Sequence, residues 1–514
     1  MEFSLFVLEM CFTITALLCY PVCLQGNPNA SPFPSNFLFG TASSSYQFEG
    51  AFLSDGKGLN NWDVFTHKPG NIMDGSNGDT AVDHYHLYQA IEDLDLMQDI
   101  GVNSYRFSIS WARILPSEFG SVNKAGIHHY NKLINSLLLK GIQPFVSLTH
   151  YDIPQELENR YGAWLSSQVQ EGFKYHADIC FKYFGDRVKG YRSGIYPPSR
   201  CSSSFGNCSN GDSVKEPFIA AHNIILSHAA AVDVYRTKYQ KQQGGSIGIV
   251  MNAIWYEPIS NSLKDKQAAE RAQAFYMNWF LDPIIMGKYP KEMQEILDSN
   301  LPSFSNHDQE KLNSTGLDFI GINHYTSFYT KDCMFSVCEQ GPGNTKTEGF
   351  ALRTATKNGV FIGESTALDW LFVHPQGMEK IITYVKERYN NIPMFITENG
   401  FCENDKSDSL TEETVNDVNR VEYISGYLVA LGAALRKGAD IRGYFLWSLL
   451  DNFEWTLGFT IRFGLHHVDF STLKRTPRGS ATWYKQFIAN HTAEKILMPQ
   501  HYPGNQLGQH FNIN

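Results

Sequence analysis

The sequence predicts an α/β fold built as a parallel barrel, on two observations. Short apolar or alternating runs bounded by turns recur along the chain with long helical patterns between them, the mark of repeated βα units on a parallel sheet. Each run is also followed by polar or aromatic residues, and in a parallel barrel those positions all lie at the C-terminal face, where binding groups gather. In chain order the strands are expected at 37–41, 104–109, 143–148, 246–252, 317–322, 394–397 and 441–447. The helices are expected at 83–100, 125–140, 168–184, 216–239, 268–286, 377–389 and 416–437. The residues after the runs are Tyr46 and Gln47, Trp111, His150 and Tyr151, Trp255, Asn323 to Tyr325, Glu398 and Asn399, and Trp447 onward. One such tail says little, but repetition after every strand predicts a ring of ligand-binding groups. No Gly-rich phosphate loop, internal repeat or linker interrupts the pattern, so residues 26–514 are expected to form one barrel domain.

The chain has 514 residues, of which 43% are hydrophobic and 18% charged. That length suits a barrel with long loop insertions. Aromatic residues make up 14%, which suits a pocket that offers flat apolar faces with polar tips, although core packing alone explains a rich aromatic content. Net charge is −10 with no long basic run, which excludes a phosphate-tracking surface for nucleic acid.

Residues 5–20 are apolar but too short and interrupted to span a bilayer. They read as a signal peptide over residues 1–25, cut between Cys23 and Pro28, although Glu2 and Glu9 replace the usual positive start. After its removal no membrane attachment is expected, and the chain is assigned to the secretory pathway, extracellular in the apoplast or in a vacuole. Cysteine usage agrees. Cys201 and Cys208 bracket a short loop and are expected to close a disulfide, and Cys333 and Cys338 bracket another that is left open. No histidine or further cysteine pair stands at zinc-ligand spacing near them. Asn207, Asn313 and Asn490 head permitted glycosylation sequons.

The segments that carry chemistry follow one another along the chain. They are Phe-Leu-Phe-Gly-Thr-Ala-Ser-Ser-Ser-Tyr-Gln-Phe-Glu-Gly from Phe37, Tyr-Arg-Phe-Ser-Ile-Ser-Trp from Tyr105, Thr-His-Tyr-Asp from Thr149, Ile-Thr-Glu-Asn-Gly from Ile396 and Trp-Ser-Leu-Leu-Asp-Asn-Phe-Glu-Trp from Trp447. On these motifs the chain resembles the plant β-glucosidases of glycoside hydrolase family 1 from Phe33 to Ile488. The resemblance implies a (β/α)8 TIM barrel that releases β-D-glucose from small-molecule or oligosaccharide β-glucosides by double displacement. No metal or organic cofactor is implied, since that chemistry runs on carboxylates.

Retaining glycosidases need two carboxyl groups about 5–5.5 Å apart, one attacking the anomeric carbon and one protonating the departing oxygen. Glu398 is expected to be the nucleophile, because it ends a short buried strand and Asn399-Gly400 turns the chain away beneath it. The resemblance implies that Tyr325 and Arg106 donate hydrogen bonds to Glu398. It carries Gln47, His150, Trp447, Glu454, Trp455 and Phe463 into the glucose pocket, with Asn323 supporting them. Glu454 would accept from two adjacent sugar hydroxyls and Trp447 would stack below the ring. The aglycone end is expected around Trp370 and the 457–460 loop.

The acid/base glutamate of that family sits in a Thr-Phe-Asn-Glu-Pro segment at the tip of the fourth strand, and this chain has no such segment. The helix ending near Lys189 runs directly into Gly190-Tyr-Arg-Ser-Gly-Ile-Tyr-Pro-Pro, which matches the loop after that strand. The expected fold is therefore a (β/α)8 barrel with its fourth strand deleted. Either residues 188–196 are recruited as a makeshift strand, or the barrel stays open with two unpaired edges. Glu257 in Trp-Tyr-Glu-Pro mimics the end of the motif but belongs to the fifth strand, and Asp152 and Asp186 have no better claim. Loss of the acid would impair turnover. The alternatives are a non-catalytic β-glucoside-binding protein and a transglucosidase.

Overall fold

A computed structural model describes residues 33–497, apart from 89–91, 118, 189, 193–201, 203–209 and 405–414. The signal peptide, Cys201, Cys208 and Asn207 lie outside the described residues.

The barrel is closed and has eight parallel strands. We label them β1 (Leu38–Ala42), β2 (Ser104–Ser108), β3 (Gln143–Ser147), β4 (Gly190–Arg192), β5 (Ser246–Asn252), β6 (Phe319–Asn323), β7 (Met394–Asn399) and β8 (Ile441–Leu446). Each strand pairs with its sequence neighbours, and β8 closes onto β1 through Leu38 opposite Gly443. The seven expected strands are all present within a residue or two of their expected ends.

The deleted fourth strand is the correction. Gly190–Arg192 takes its place, with Tyr191 opposite Val146 of β3 and Ile247 of β5. Backbone N–H and C=O groups left at two facing edges cost free energy. Three residues in extended conformation satisfy them wherever the side chains allow it. Recruitment within the 188–196 segment is therefore the alternative that is realised, through Gly190–Arg192 among the described residues.

Large aromatic residues fill the base of the barrel. Phe145 of β3 meets Phe319, Phe395 and Phe445 at ring centroid distances of 5.5, 5.2 and 5.0 Å, mostly edge to face, the favoured geometry. The rings need space on the neighbouring strands. A Cβ at Gly40 of β1 would stand 2.4 Å from the Phe445 ring, so only glycine fits there. A contiguous cluster of buried side chains runs from Phe33 to Ile488.

Helices cover the outside. Gln168–Phe184 matches its expected bounds, and Glu216–Val234 continues through a short π-helical turn to Gln243. This run is long and apolar enough to cross a membrane by composition, but 83% of its most apolar stretch is buried inside the protein. The helix expected at 268–286 is two helices, Leu263–Ala274 and Asn278–Met286. The break lets Asn278 bridge two hydroxyls, donating to Tyr384 at 2.6 Å and accepting from Tyr389 at 3.0 Å. Beyond the barrel mouth, Trp255–Pro258, Ser327–Asp332 and Ala351–Thr354 form a three-stranded sheet, and Cys333 and Cys338 are joined by a disulfide. Cys180 and Cys402 are buried free thiols.

Candidate active site

Glu398 stands at the C-terminal end of β7, buried with 7% of its surface exposed. The turn beneath it depends on Gly400, where a Cβ would lie 2.0 Å from the Trp447 carbonyl oxygen. Asn399 locks the strand end from the other side. Its Nδ2 donates to the His324 carbonyl at 2.7 Å and its Oδ1 accepts from Tyr444 at 2.8 Å.

Two donors meet the Glu398 carboxylate. Arg106, reaching across the barrel from β2, donates through Nη1 to Oε1. The Tyr325 hydroxyl donates to Oε2 at 2.9 Å. Burial, and then the negative charge of Glu398, push the Tyr325 phenol well above its ordinary range, so it remains a neutral donor. The second guanidinium nitrogen of Arg106 lies 3.4 Å from Nδ1 of His150. Asn323 accepts from the Thr397 hydroxyl at 2.6 Å, which ties the tips of β6 and β7 together.

Above Glu398 opens a cavity of about 640 Å³. His150, Asn323, Tyr325, Trp447, Glu454, Trp455 and Phe463 line it, so the sequence-predicted residues converge on one space. The His150 ring lies parallel to both Trp447 and Trp455, at 9° and 3°, with each centroid 5.9 Å away. Gln47 is fully buried behind this wall. Its Nε2 donates to Asn452 at 2.9 Å and to Glu454 at 3.4 Å, while its Oε1 accepts from Ser44 at 2.7 Å. Burial, and then the Glu398 charge, raise the Glu454 carboxyl to about 8. The site therefore carries a second carboxyl that is mostly protonated at neutral pH.

At the outer end, Trp370 and Leu457 line the same cavity, as expected for the aglycone side. Trp62, Tyr276, Phe328 and Arg353 line it too, and they lie outside the strand-end rule because long loops carry them. Asn252, the last residue of β5, obeys that rule and also reaches the cavity. Trp111 and Trp255 follow strands without reaching it. Trp111 is wholly buried, and Trp255 turns its indole to Glu257 at 2.7 Å.

None of the carboxylates weighed as acid/base candidates approaches the cavity. Glu257 accepts from Lys380 at 2.6 Å in the loop sheet. Asp152 is fully buried against Ser45 and the His150 backbone, and burial raises it to about 7. Among the described residues, the carboxylates lining the cavity are Glu398, Glu454 and the exposed Asp369. In the sequence, no aspartate or glutamate stands between Asp186 and Asp212, the stretch that holds β4 and the loop after it.

Comparison with known proteins gives the assignment. Residues 29–493 match the model of glycosyl hydrolase family 1. The chain is a member of that family. β-Glucosidase 47 of Arabidopsis thaliana is 60% identical over 90% of this chain and 86% of its own length. A protein of Oryza sativa named probable inactive β-glucosidase 14 is 54% identical over 89% of this chain and 91% of its own. A solved structure of a rice β-glucosidase, a glutamate-to-glutamine mutant in a covalent complex with glucose, is 44% identical, with a TM-score of 0.84 over 88% of this chain and 98% of that one. The eight-stranded barrel is thus that of a family 1 β-glucosidase, with plant relatives among its matches.

Proposed function

We propose that this family 1 protein takes β-D-glucose from β-glucosides onto Glu398, and that it does so without an acid/base carboxyl. The Glu398 oxygen forms a bond to the anomeric carbon as the bond to the aglycone oxygen breaks. Arg106 and Tyr325 hold the nucleophile in place. Gln47, His150, Glu454 and Trp455 hold the sugar hydroxyls over Trp447, with Phe463 at the wall. The observation that carries this reading is the pairing of a fully supported Glu398 with the absence of any acidic residue from Arg187 to Gly211. General acid catalysis contributes about 10²–10⁴-fold, so substrates whose aglycone must leave as an alkoxide are turned over poorly. The test is to mix purified protein with a dinitrophenyl β-glucoside. A stoichiometric burst of dinitrophenolate and a glucosylated peptide containing Glu398 are expected. Steady turnover of alkyl glucosides at a similar rate would refute the missing acid.

A second reading is a glucoside-binding protein without turnover. The gap in the sequence favours it, and so does the name of the Oryza relative. Glucose binding without a burst would establish it.

Passage through the secretory pathway is part of the same proposal. The apolar N-terminal stretch, the Cys333–Cys338 disulfide and the exposed positions of Asn313 and Asn490 support it. Enzymatic removal of N-glycans from protein expressed in plant cells is expected to lower its mass, and an unchanged mass would count against it.

A further inference from the structure

Asp152 is wholly buried and does not line the cavity above Glu398, yet it stands two residues after His150, which does. Its Oδ1 accepts from the His150 backbone N–H at 3.2 Å, and its Oδ2 accepts from the Ser45 hydroxyl at 2.8 Å. Between the two residues, Tyr151 has a φ of 72°. That left-handed conformation costs a non-glycine residue free energy and persists only where surrounding contacts enforce it. The return of the Asp152 carboxylate onto the His150 amide is one such contact. The Thr149 hydroxyl, which donates to the Asp152 carbonyl at 3.1 Å, is another. Ser45 extends the connection. It opens the short helix Ser45–Phe48 that carries Gln47, its N–H donates to Ser108 Oγ at 2.7 Å, and its hydroxyl lies 2.9 Å from the same atom. One carboxyl group thus links the segments after β1 and β3 to the tip of β2. Both of its donors are neutral, and Glu49 adds a repulsive charge. A buried carboxyl in such surroundings costs stability, so packing alone does not account for it.

We propose that Asp152 is a positioning residue for the sugar: its two oxygens hold His150 and Gln47 in register, so that both meet their hydroxyls at once. The inference rests on the reading in which His150 and Gln47 hold the sugar. Asp152 itself never touches the ligand. Its loss therefore acts through those two side chains and weakens the hydroxyl contacts that they make, while hydroxyls held by other residues lose little. A general loosening of the fold has a different signature, since it weakens every contact with the sugar alike.

The experiment titrates the full chain with glucose and with the monodeoxy glucoses that lack the hydroxyl at C2, C3, C4 or C6, read by tryptophan fluorescence. The fold-loss in affinity on removing a hydroxyl is the penalty for that hydroxyl. His150→Ala and Gln47→Ala mark the hydroxyls that these side chains hold, because there the penalty disappears. Asp152→Leu keeps the side-chain size and removes both hydrogen bonds. It is expected to weaken glucose binding by about fivefold or more. It is also expected to shrink the penalties at the marked hydroxyls and to leave the others within about twofold. In Asp152→Asn the amide oxygen still accepts from His150 and the amide nitrogen donates to Ser45, so affinity and penalties are expected to return to those of the unaltered chain. Ser45→Ala, a milder change, cuts the Gln47 arm alone and is expected to shrink the Gln47 penalties only, which keeps the test open where Asp152→Leu does not fold. Uniform loss across the series, no loss, or failure of Asp152→Asn to restore the pattern overturns the positioning role. Penalties that stay unchanged in His150→Ala and Gln47→Ala overturn the placement of these two side chains on the sugar, and the positioning role with it.

Discussion

The two sides of the barrel mouth differ in what they keep. On the side of β7, β8 and β1, strands of five or six residues end in side chains whose positions are fixed several times over. Glu398 is held by Arg106 and Tyr325, Asn399 by His324 and Tyr444, and Gln47 by Ser44 and Asn452. On the side of β4, Gly190–Arg192 restores the backbone ladder between β3 and β5, and the sequence offers no acidic residue from Arg187 to Gly211. The difference teaches that barrel closure and catalysis make separate demands. Closure needs backbone hydrogen bonds, which almost any extended residue supplies. Catalysis needs one particular side chain at one strand tip, and the sequence around β4 holds no acidic residue to supply it.

The sharpest break of this comparison is Glu398→Gln. The variant keeps the shape of the intact side and removes its proposed nucleophile, so the dinitrophenolate burst is expected to vanish and the rate to fall by about 10⁴-fold or more. Survival of the burst would mean that the intact side is not the reactive one. The next effect concerns the β4 side. If the proposed absence of a proton donor there holds, kcat/KM for a methyl β-glucoside falls short of that for the dinitrophenyl glucoside by a further ~10²–10⁴-fold beyond the spread seen in an enzyme with both carboxyls. A normal spread, measured against a two-carboxyl relative, would reveal a donor on that side.

Much of the intact side is legible in the sequence because its signals are local. Each strand announces itself by apolar periodicity, and residues at its C-terminal end or one step past it face the pocket. Glu398, Asn323 and Trp447 all obey that rule. Trp62 and Arg353 reach the cavity from a loop helix and a loop strand, so their places depend on tertiary packing that no short window encodes. Trp111 and Trp255 show the converse, since the same strand-end signal leads one into the core and the other to Glu257. β4 is hard to read for a third reason. Gly-Tyr-Arg has no periodicity to detect, and it is extended because Val146 and Ile247 present unpaired edges to it.

Glu454 offers a smaller and pH-dependent effect on the intact side. Its carboxyl is raised from about 4.5 to about 8, first by burial and then by the Glu398 charge. Between those values the unfolded chain has released a proton that the folded site still holds. Stability from this group therefore falls as pH rises through that window. Glu454→Gln removes the penalty. Its Tm is expected to match that of the unaltered chain near pH 4.5 and to exceed it by about 2–4 °C at pH 8.5. A Tm difference that is flat with pH would remove the coupling between the two carboxyls. Sugar hydroxyls that donate to Glu454 favour its ionised form. Glucose binding at pH 7 is therefore expected to release close to one proton, read by calorimetry in buffers of different ionisation enthalpy.

The smallest effect tests whether anything on the β5 side has taken over from β4. Glu257 is the carboxylate whose sequence context imitates the missing motif. An acid catalyst must hold a proton at neutral pH. Burial pushes the Glu257 carboxyl up, but hydrogen bonds from Lys380 and Trp255 more than offset this and hold it below its ordinary value. It also does not line the cavity above Glu398. Glu257→Gln is therefore expected to change kcat/KM for aryl and alkyl glucosides by less than about twofold. Stability is expected to drop by no more than about 1 kcal/mol, because the Lys380 pair is part-exposed. A tenfold loss confined to alkyl glucosides would show that the β5 strand end donates the proton after all, and that the two sides of the mouth are less unequal than their carboxylates suggest.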